Sequence, residues 1–401
     1  MLRFPAALAV AGLWALASTA RAQQPKPVLT FGDSGTTVVV GGKVRTTMLL
    51  SSKRHFPSGT AFLLLPKDAT GQESSIDLNA RSSSLFLAVD GPKVGSFTMS
   101  GMMFFYLTAS VTSETYGILP TLLYADLKNE RWRFAVGQQM DVFSERTPNM
   151  VDSYFTLAAS GNAGNSSRAQ LRAERFFPVG PQGRLSLTLA ASEPITSYFS
   201  SDLRNNSADN GRPNAEWAVK YRSGTDTAAW VPFDRLELAL SGVHGSYRVF
   251  KNDAMGTNIR VNHPQVAGLA GEFAFRLGNR VGVQGEVYRG KALGNYAASI
   301  FQTTKGAFDT EVHSRGVWSE LAFYAKRNLQ SRIGYGQDRC DEADLKGAGV
   351  LQNSTVFGNV IWDINRIMQV GAEVSYKHTQ YLAPLRNNQG MTAMFMTQFK
   401  F

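Results

Sequence analysis

Apolar and polar residues alternate with a period of two through most of this chain, and the last eleven residues show it clearly. Phe401, Phe399, Thr397, Phe395, Ala393 and Met391 fall on one row; Lys400, Gln398, Met396, Met394 and Thr392 fall on the other. Successive side chains of a strand point to opposite faces, so this pattern predicts a two-faced strand. The same reading holds for 368–377, where Val370, Ala372, Val374 and Tyr376 oppose Gln369, Gly371, Glu373, Ser375 and Lys377. It holds again for 265–277, 131–138 and 234–249. Strands are predicted at 36–50, 75–90, 94–109, 119–128, 131–138, 168–177, 184–193, 215–222, 234–249, 265–277, 281–293, 312–327, 331–340, 354–364, 367–377 and 390–401. The apolar parity flips between Leu78 and Leu85, which a bulge within 75–90 would explain.

The connections are lopsided. Turn chemistry marks short links at Gly91-Pro92, Asn129-Glu130, Gly278-Asn279, Asn328-Leu329 and near Asn365. Between them lie long polar stretches at 51–74, 139–167, 194–214, 250–264, 294–311, 341–353 and 378–389. The link 223–233 breaks the rule, being long on the short side. Short turns at one rim and long loops at the other predict an all-β fold, a transmembrane antiparallel barrel of about sixteen strands with long extracellular loops and short periplasmic turns. Polar rows rich in Gly, Ala and Ser mixed with charge suit a wet interior. Phe176, Phe177, Trp230, Phe233, Tyr324, Trp362, Phe399 and Phe401 sit near strand ends, where interfacial aromatic girdles are expected.

The N-terminus changes the picture by adding an address. Arg3, an apolar stretch from Phe4 to Leu16 and Ala20-Arg21-Ala22 form the pattern of a secretory signal peptide at 1–22, leaving 23–401 as one barrel domain. The chain carries a net charge of +10, dispersed along its length with no nucleic-acid motif. In an exported protein that excess points to a cationic lumen or to contact with anionic lipopolysaccharide. Cys340 is alone, so no internal disulfide forms. Neither a Gly-x-Ser-x-Gly elbow nor a Gly-x-Gly-x-x-Gly cradle occurs, and no cofactor is expected. His263 and His313, near loop ends, are what a rim hydrolase would use.

A specific resemblance comes at 131–172. Trp132 to Phe143 ends a strand through Val136-Gly137-Gln138 and opens the longest loop, which passes Gly161, Gly164 and Asn165 before Arg168-Ala169-Gln170-Leu171-Arg172. This resembles the DcaP-like porins, as do Asn79-Ala80-Arg81 and Asp90-Gly91-Pro92. The terminal Phe401 likewise resembles the insertion signal of outer-membrane barrels, read by their assembly machinery. The resemblance implies a homotrimer in the outer membrane of a Gram-negative cell, passing small hydrophilic solutes such as dicarboxylates or aromatic acids. Gln139, Met140 and Asp141 depart from the family pattern of an aromatic and a hydroxyl residue, and only Gln23 to Gly35 precede the first strand.

Passive transport needs a constriction and a field that favours one sign of charge. Strand parity turns Lys43, Arg45, Arg133, Arg168 and Arg172 inward. The loop 139–167, carrying Asp141, Glu145 and Asp152, is expected to fold into the pore and face them. Structural pairing of some of these arginines with Glu174, Asp126 or loop carboxylates is the alternative. A porin favouring anions is the leading functional expectation; a structural or adhesive barrel and a barrel hydrolase are the others.

Overall fold

The computed structural model describes residues 28–31, 35–57, 60–109, 115–151, 157, 159–164, 166–195, 210–224, 229–252, 259–304, 311–345 and 349–401. The signal segment 1–22 and Asp152 lie outside the described residues. In chain order the strands begin with β1 (Val28–Phe31), β2 (Thr36–Ser51), β3 (His55–Phe56), β4 (Leu63–Leu64), β5 (Ser75–Asn79), β6 (Ser84–Val94), β7 (Phe97–Tyr106) and β8 (Leu119–Lys128). Next come β9 (Trp132–Met140), β10 (Ser167–Val179), β11 (Gly183–Ser192), β12 (Asn214–Ser223), β13 (Leu236–Ser246), β14 (Val249–Asn252) and β15 (Ile259–Asn262). The last are β16 (Gln265–Leu277), β17 (Val281–Lys291), β18 (His313–Lys326), β19 (Leu329–Cys340), β20 (Val350–Asp363), β21 (Met368–Tyr381) and β22 (Asn388–Lys400).

Neighbouring long strands pair antiparallel, and β22 returns to β2 from Lys43↔Lys400 to Ser51↔Thr392, so the sheet closes. Phe401 seals the seam by exchanging two backbone hydrogen bonds with Gly42, at 3.0 and 3.1 Å. β5 and β6 both pair with β2 and act as one interrupted stave, which leaves a closed barrel of sixteen. The interruption at 80–83 is what lets Leu78 and Leu85 both face outward despite their odd spacing. β1 prolongs the edge of β2 beyond the end of β22.

The polarity is inverted relative to a soluble fold. Val44, Leu171, Leu189, Leu269, Ile333 and Phe395 point outward and are 47 to 66 % exposed. Glu216, Glu286, Glu320, Asn353 and Thr355 point inward and are buried. Leaving a Leu in water forfeits roughly 1.5–3 kcal/mol, so the outer belt is built for hydrocarbon. A closed barrel also leaves no unpaired backbone edge in lipid.

Three expectations need correction. The turn placed at Gly91-Pro92 is a register shift inside the β6–β7 ladder, and the chain reverses at Gly95, whose φ of +61° suits glycine. The polar stretch 250–264 contains the β14–β15 hairpin, and 378–389 contributes the ends of β21 and β22. Four of the supposed girdle aromatics turn inward. Phe176 lies beneath Arg184, Tyr324 packs on the inner face, and Trp230 and Phe233 belong, with Val231, to the long turn after β12, which tucks against Ala322 and Tyr324. Phe177, Trp362, Phe399 and Phe401 do lie exposed on the outer face.

Candidate constriction and conduit

The segment between β9 and β10, hereafter L3, leaves the rim and runs around the inside of the barrel wall. Its course follows from what its backbone meets. Glu216 of β12 accepts the amides of Val142 and Phe143 at 2.6 and 3.1 Å. Glu272 of β16 accepts Glu145 N at 2.9 Å, Glu320 of β18 accepts Asn149 N at 2.9 Å, and Glu373 of β21 accepts Val151 N at 2.8 Å. On the return, Glu286 of β17 accepts Ala163 N at 3.0 Å and also the Trp318 indole at 2.9 Å. A loop drawn into a barrel must satisfy its buried amides, and charged acceptors do so strongly. The inward acidic row of β12 to β21 therefore anchors L3. Glycine is required at two of its turns: at Gly161 (φ +100°) an added Cβ would sit 2.1 Å from Val317 O, and at Gly164 (φ +70°) 1.9 Å from Phe143 O.

Two further loops close over the same half of the barrel. Residues 292–300 are buried, with Tyr296 edge-on to Phe143 and its carbonyl accepting Gly164 N at 2.7 Å. Phe62, from the first loop, packs with Ala159, Ile300 and Cys340, and Asn353 Nδ2 donates to the carbonyls of Phe62 and Ala159 at 2.9 Å. Val142 at the root of L3 also covers Ala190 of β11, and among the described residues it is the arc from β6 to β8 that carries no such cover: Phe86, Met102, Phe104, Leu122 and Tyr124 face inward half-exposed.

The expected site residues divide within this geometry. Arg168 and Asp141 pair with each other at 0 % exposure, and the guanidinium stacks 3.8 Å from the Tyr296 ring centre, so the pair clamps the root of L3 away from water. Arg45 is 5 % exposed and donates to Val151 O and, at 3.4 Å, to Gln398 Oε1 beneath the far end of L3. Arg133 bonds Asp126 at 2.6 Å and lies 3.9 Å from Glu174, in the structural pairing that stood as the alternative. Lys43 faces inward, half-buried, opposite Lys400 in the ladder. Arg172 and Glu145 do come together, at 3.6 Å.

Glu145 is the centre of a group that parity on a weak strand would have exposed. Lys220 of β12 reaches it at 2.5 Å, and Arg222, two residues on, is 51 % exposed and 3.4 Å from Glu237. Burial opposes the charge of Glu145, but Lys220 and Arg172 hold its carboxyl below the usual range. Arg146 bonds Glu237 at 2.6 Å and Gln284 at 2.8 Å, fixing L3 to the wall beside this group. Arg184 of β11 is exposed, sits opposite Arg222 in the ladder and stacks 3.5 Å over Phe176. Arg146, Arg172, Lys220 and Arg222 thus gather around three carboxylates, Glu145, Glu237 and Glu272, with Arg184 next to Arg222 along the ladder, and cations outnumber carboxylates. At the outer rim, His313 Nδ1 lies 2.8 Å from Asp344, with Asp341 alongside.

No family model and no curated protein matches the chain by sequence. Solved structures match its fold. The outer-membrane channel DcaP of Acinetobacter baumannii superposes with a TM-score of 0.68 at 15 % identity, over 93 % of this chain and 99 % of that one. An anion-selective porin from Comamonas acidovorans gives 0.58 at 10 % identity, over 91 % and 100 %. OmpF of Salmonella typhi, in complex with daunomycin, gives 0.56 at 11 %, over 93 % and 100 %. The fold is the DcaP-like, porin-type β-barrel that those outer-membrane proteins share.

Proposed function

We infer that the protein is a porin, a passive channel for small hydrophilic solutes that favours anions. The observation that carries this reading is the basic group around Glu145 and Glu237 beside the uncovered arc. Low-dielectric walls focus such a field, drawing anions in and repelling cations. The resemblance to DcaP-like porins adds dicarboxylates to the solutes expected. Cleavage of the 1–22 leader, delivery through Phe401 to the assembly machinery and contact of the loops with lipopolysaccharide complete the route to the membrane.

Assembly as a homotrimer fits the outer surface of β7 to β12. There Ala125, Ala173, Ala191 and Ala215 make a shallow groove between Phe134, Val136, Leu171 and Leu189, against which a second copy can lie. One solved neighbour, OmpT of Vibrio cholerae, is described in a trimer form.

The test is the zero-current potential of the reconstituted protein across a KCl gradient. Chloride preference in discrete open-channel steps supports the reading; a potential of the opposite sign removes anion preference, and an absence of steps leaves a structural barrel. A hydrolase reading draws on the His313–Asp344 pair. It requires esterase or protease activity that disappears in His313→Ala.

A further inference from the structure

The arc that L3 leaves uncovered is not the mixture of Gly, Ala, Ser and charge expected of a wet lumen. Above Ser100 and Asp126, which face inward nearer the periplasm, the inward rows are Phe86 and Ala88 on β6, Met102, Phe104 and Tyr106 on β7, and Leu122 and Tyr124 on β8. The ladder sets them abreast: Phe86 opposite Phe104 opposite Leu122, and Ala88 opposite Met102 opposite Tyr124. All are half-exposed. Large apolar residues that face inward on the other side, Trp318, Phe357, Met394 and Met396, are buried beneath the loops.

This stripe is a packed surface. The Phe104 and Tyr106 rings meet edge-on at 5.0 Å, the Tyr124 hydroxyl lies 4.0 Å from the Met102 sulfur, and the Phe86 ring covers Gly41, where an added Cβ would be 2.6 Å from it. It also runs into the basic group. The Arg133 guanidinium lies 5.6 Å from the Tyr124 ring centre. Arg172 stands two strands along and one inward row nearer the periplasm, through Asp126↔Ala135↔Arg172 against Tyr124↔Gly137↔Gln170. Two strand spacings make that lateral separation about 10 Å. An apolar lining does nothing for a hydrated inorganic ion, which it cannot solvate. It does favour a solute whose body is apolar and whose charge sits at one end.

We propose, resting on the anion-channel reading above, that the conduit selects monocarboxylates with an aryl or medium-chain alkyl body. The body slides along Met102, Phe104, Leu122 and Tyr124 while the carboxylate engages Arg172 and Lys220. A dicarboxylate of the same length must draw its second charge out of water against the stripe, so it passes less well.

The experiment uses the full barrel reconstituted in planar bilayers, with relative permeabilities taken from zero-current potentials in gradients of sodium butyrate, hexanoate, adipate and benzoate. Hexanoate and benzoate exceeding adipate severalfold is the expected result. In Phe104→Ser/Leu122→Ser that margin collapses while the KCl potential stays as in the native channel. Adipate equalling or exceeding hexanoate in the native channel overturns the proposal and leaves the anion reading intact. Loss of anion preference in KCl overturns the reading beneath it. The native-channel comparison decides the matter even where the double variant fails to assemble.

Discussion

The wall from β12 to β22 and the wall from β6 to β8 are built from the same alternating strands, yet among the described residues only the first carries a lining of loops. The reason lies in the inward row. On β12, β16, β17, β18 and β21 that row holds Glu216, Glu272, Glu286, Glu320 and Glu373, each accepting an L3 backbone amide. On β6, β7 and β8 its upper part holds Phe86, Met102, Phe104, Leu122 and Tyr124, which offer a loop no charged acceptor, and Asp126 below them is taken by Arg133 and Ser100. Carboxylates usually read as solvated charge are here the fasteners of a constriction, and the conduit is displaced towards the side that lacks them.

The strongest way to break this contrast is to delete residues 142–163. Five wall carboxylates would then lose the L3 amides they accept and face water, so conductance should rise severalfold and selectivity should swing towards cations. Current–voltage curves in a KCl gradient check both. Next in size is the clamp at the root of L3. Removing one member of a buried ion pair costs roughly 3–5 kcal/mol, so Asp141→Asn should lower the unfolding midpoint strongly, whereas Asp141→Leu/Arg168→Met should recover much of it. Guanidinium titration of the refolded barrel measures the difference. Lys220→Gln/Arg222→Gln should then sharpen the field argument by reducing chloride preference, with a smaller loss of stability than at the clamp, because Arg172 still holds Glu145 and Arg146 still holds Glu237. Smallest is Arg184→Ala, which removes a stacking contact on Phe176 at an exposed site, about 0.5–1 kcal/mol.

The barrel was legible because alternation is local. The predicted strand 265–277 coincides with β16, and most others lie within a few residues of the observed bounds. The site was legible only in part, because which inward arginine meets water depends on register and on the route of L3. Nothing adjacent in sequence announces that Arg133 meets Asp126 across the β8–β9 ladder, or that Arg168 is roofed by Tyr296 from a distant loop. Lys220 and Arg222 were within reach of parity, but they sit on a short strand whose apolar row, Trp217, Val219 and Tyr221, is modest. The apolar stripe was hidden for a different reason. Both faces of β7 are greasy, so alternation there carries no contrast between lipid and lumen.

Cysteine accessibility tests the off-centre conduit most directly. In a Cys340→Ser background, single cysteines at Met102 and Leu122 on the open arc, and at Ser241 and Ser375 beneath the loops, would be treated with a membrane-impermeant sulfonated thiol reagent while current is recorded. The cysteines at 102 and 122 should react rapidly and reduce the current, while those at 241 and 375 stay silent. Equal reactivity at all four positions would mean that the lumen is centred and that L3 does not line the wall from β12 to β22.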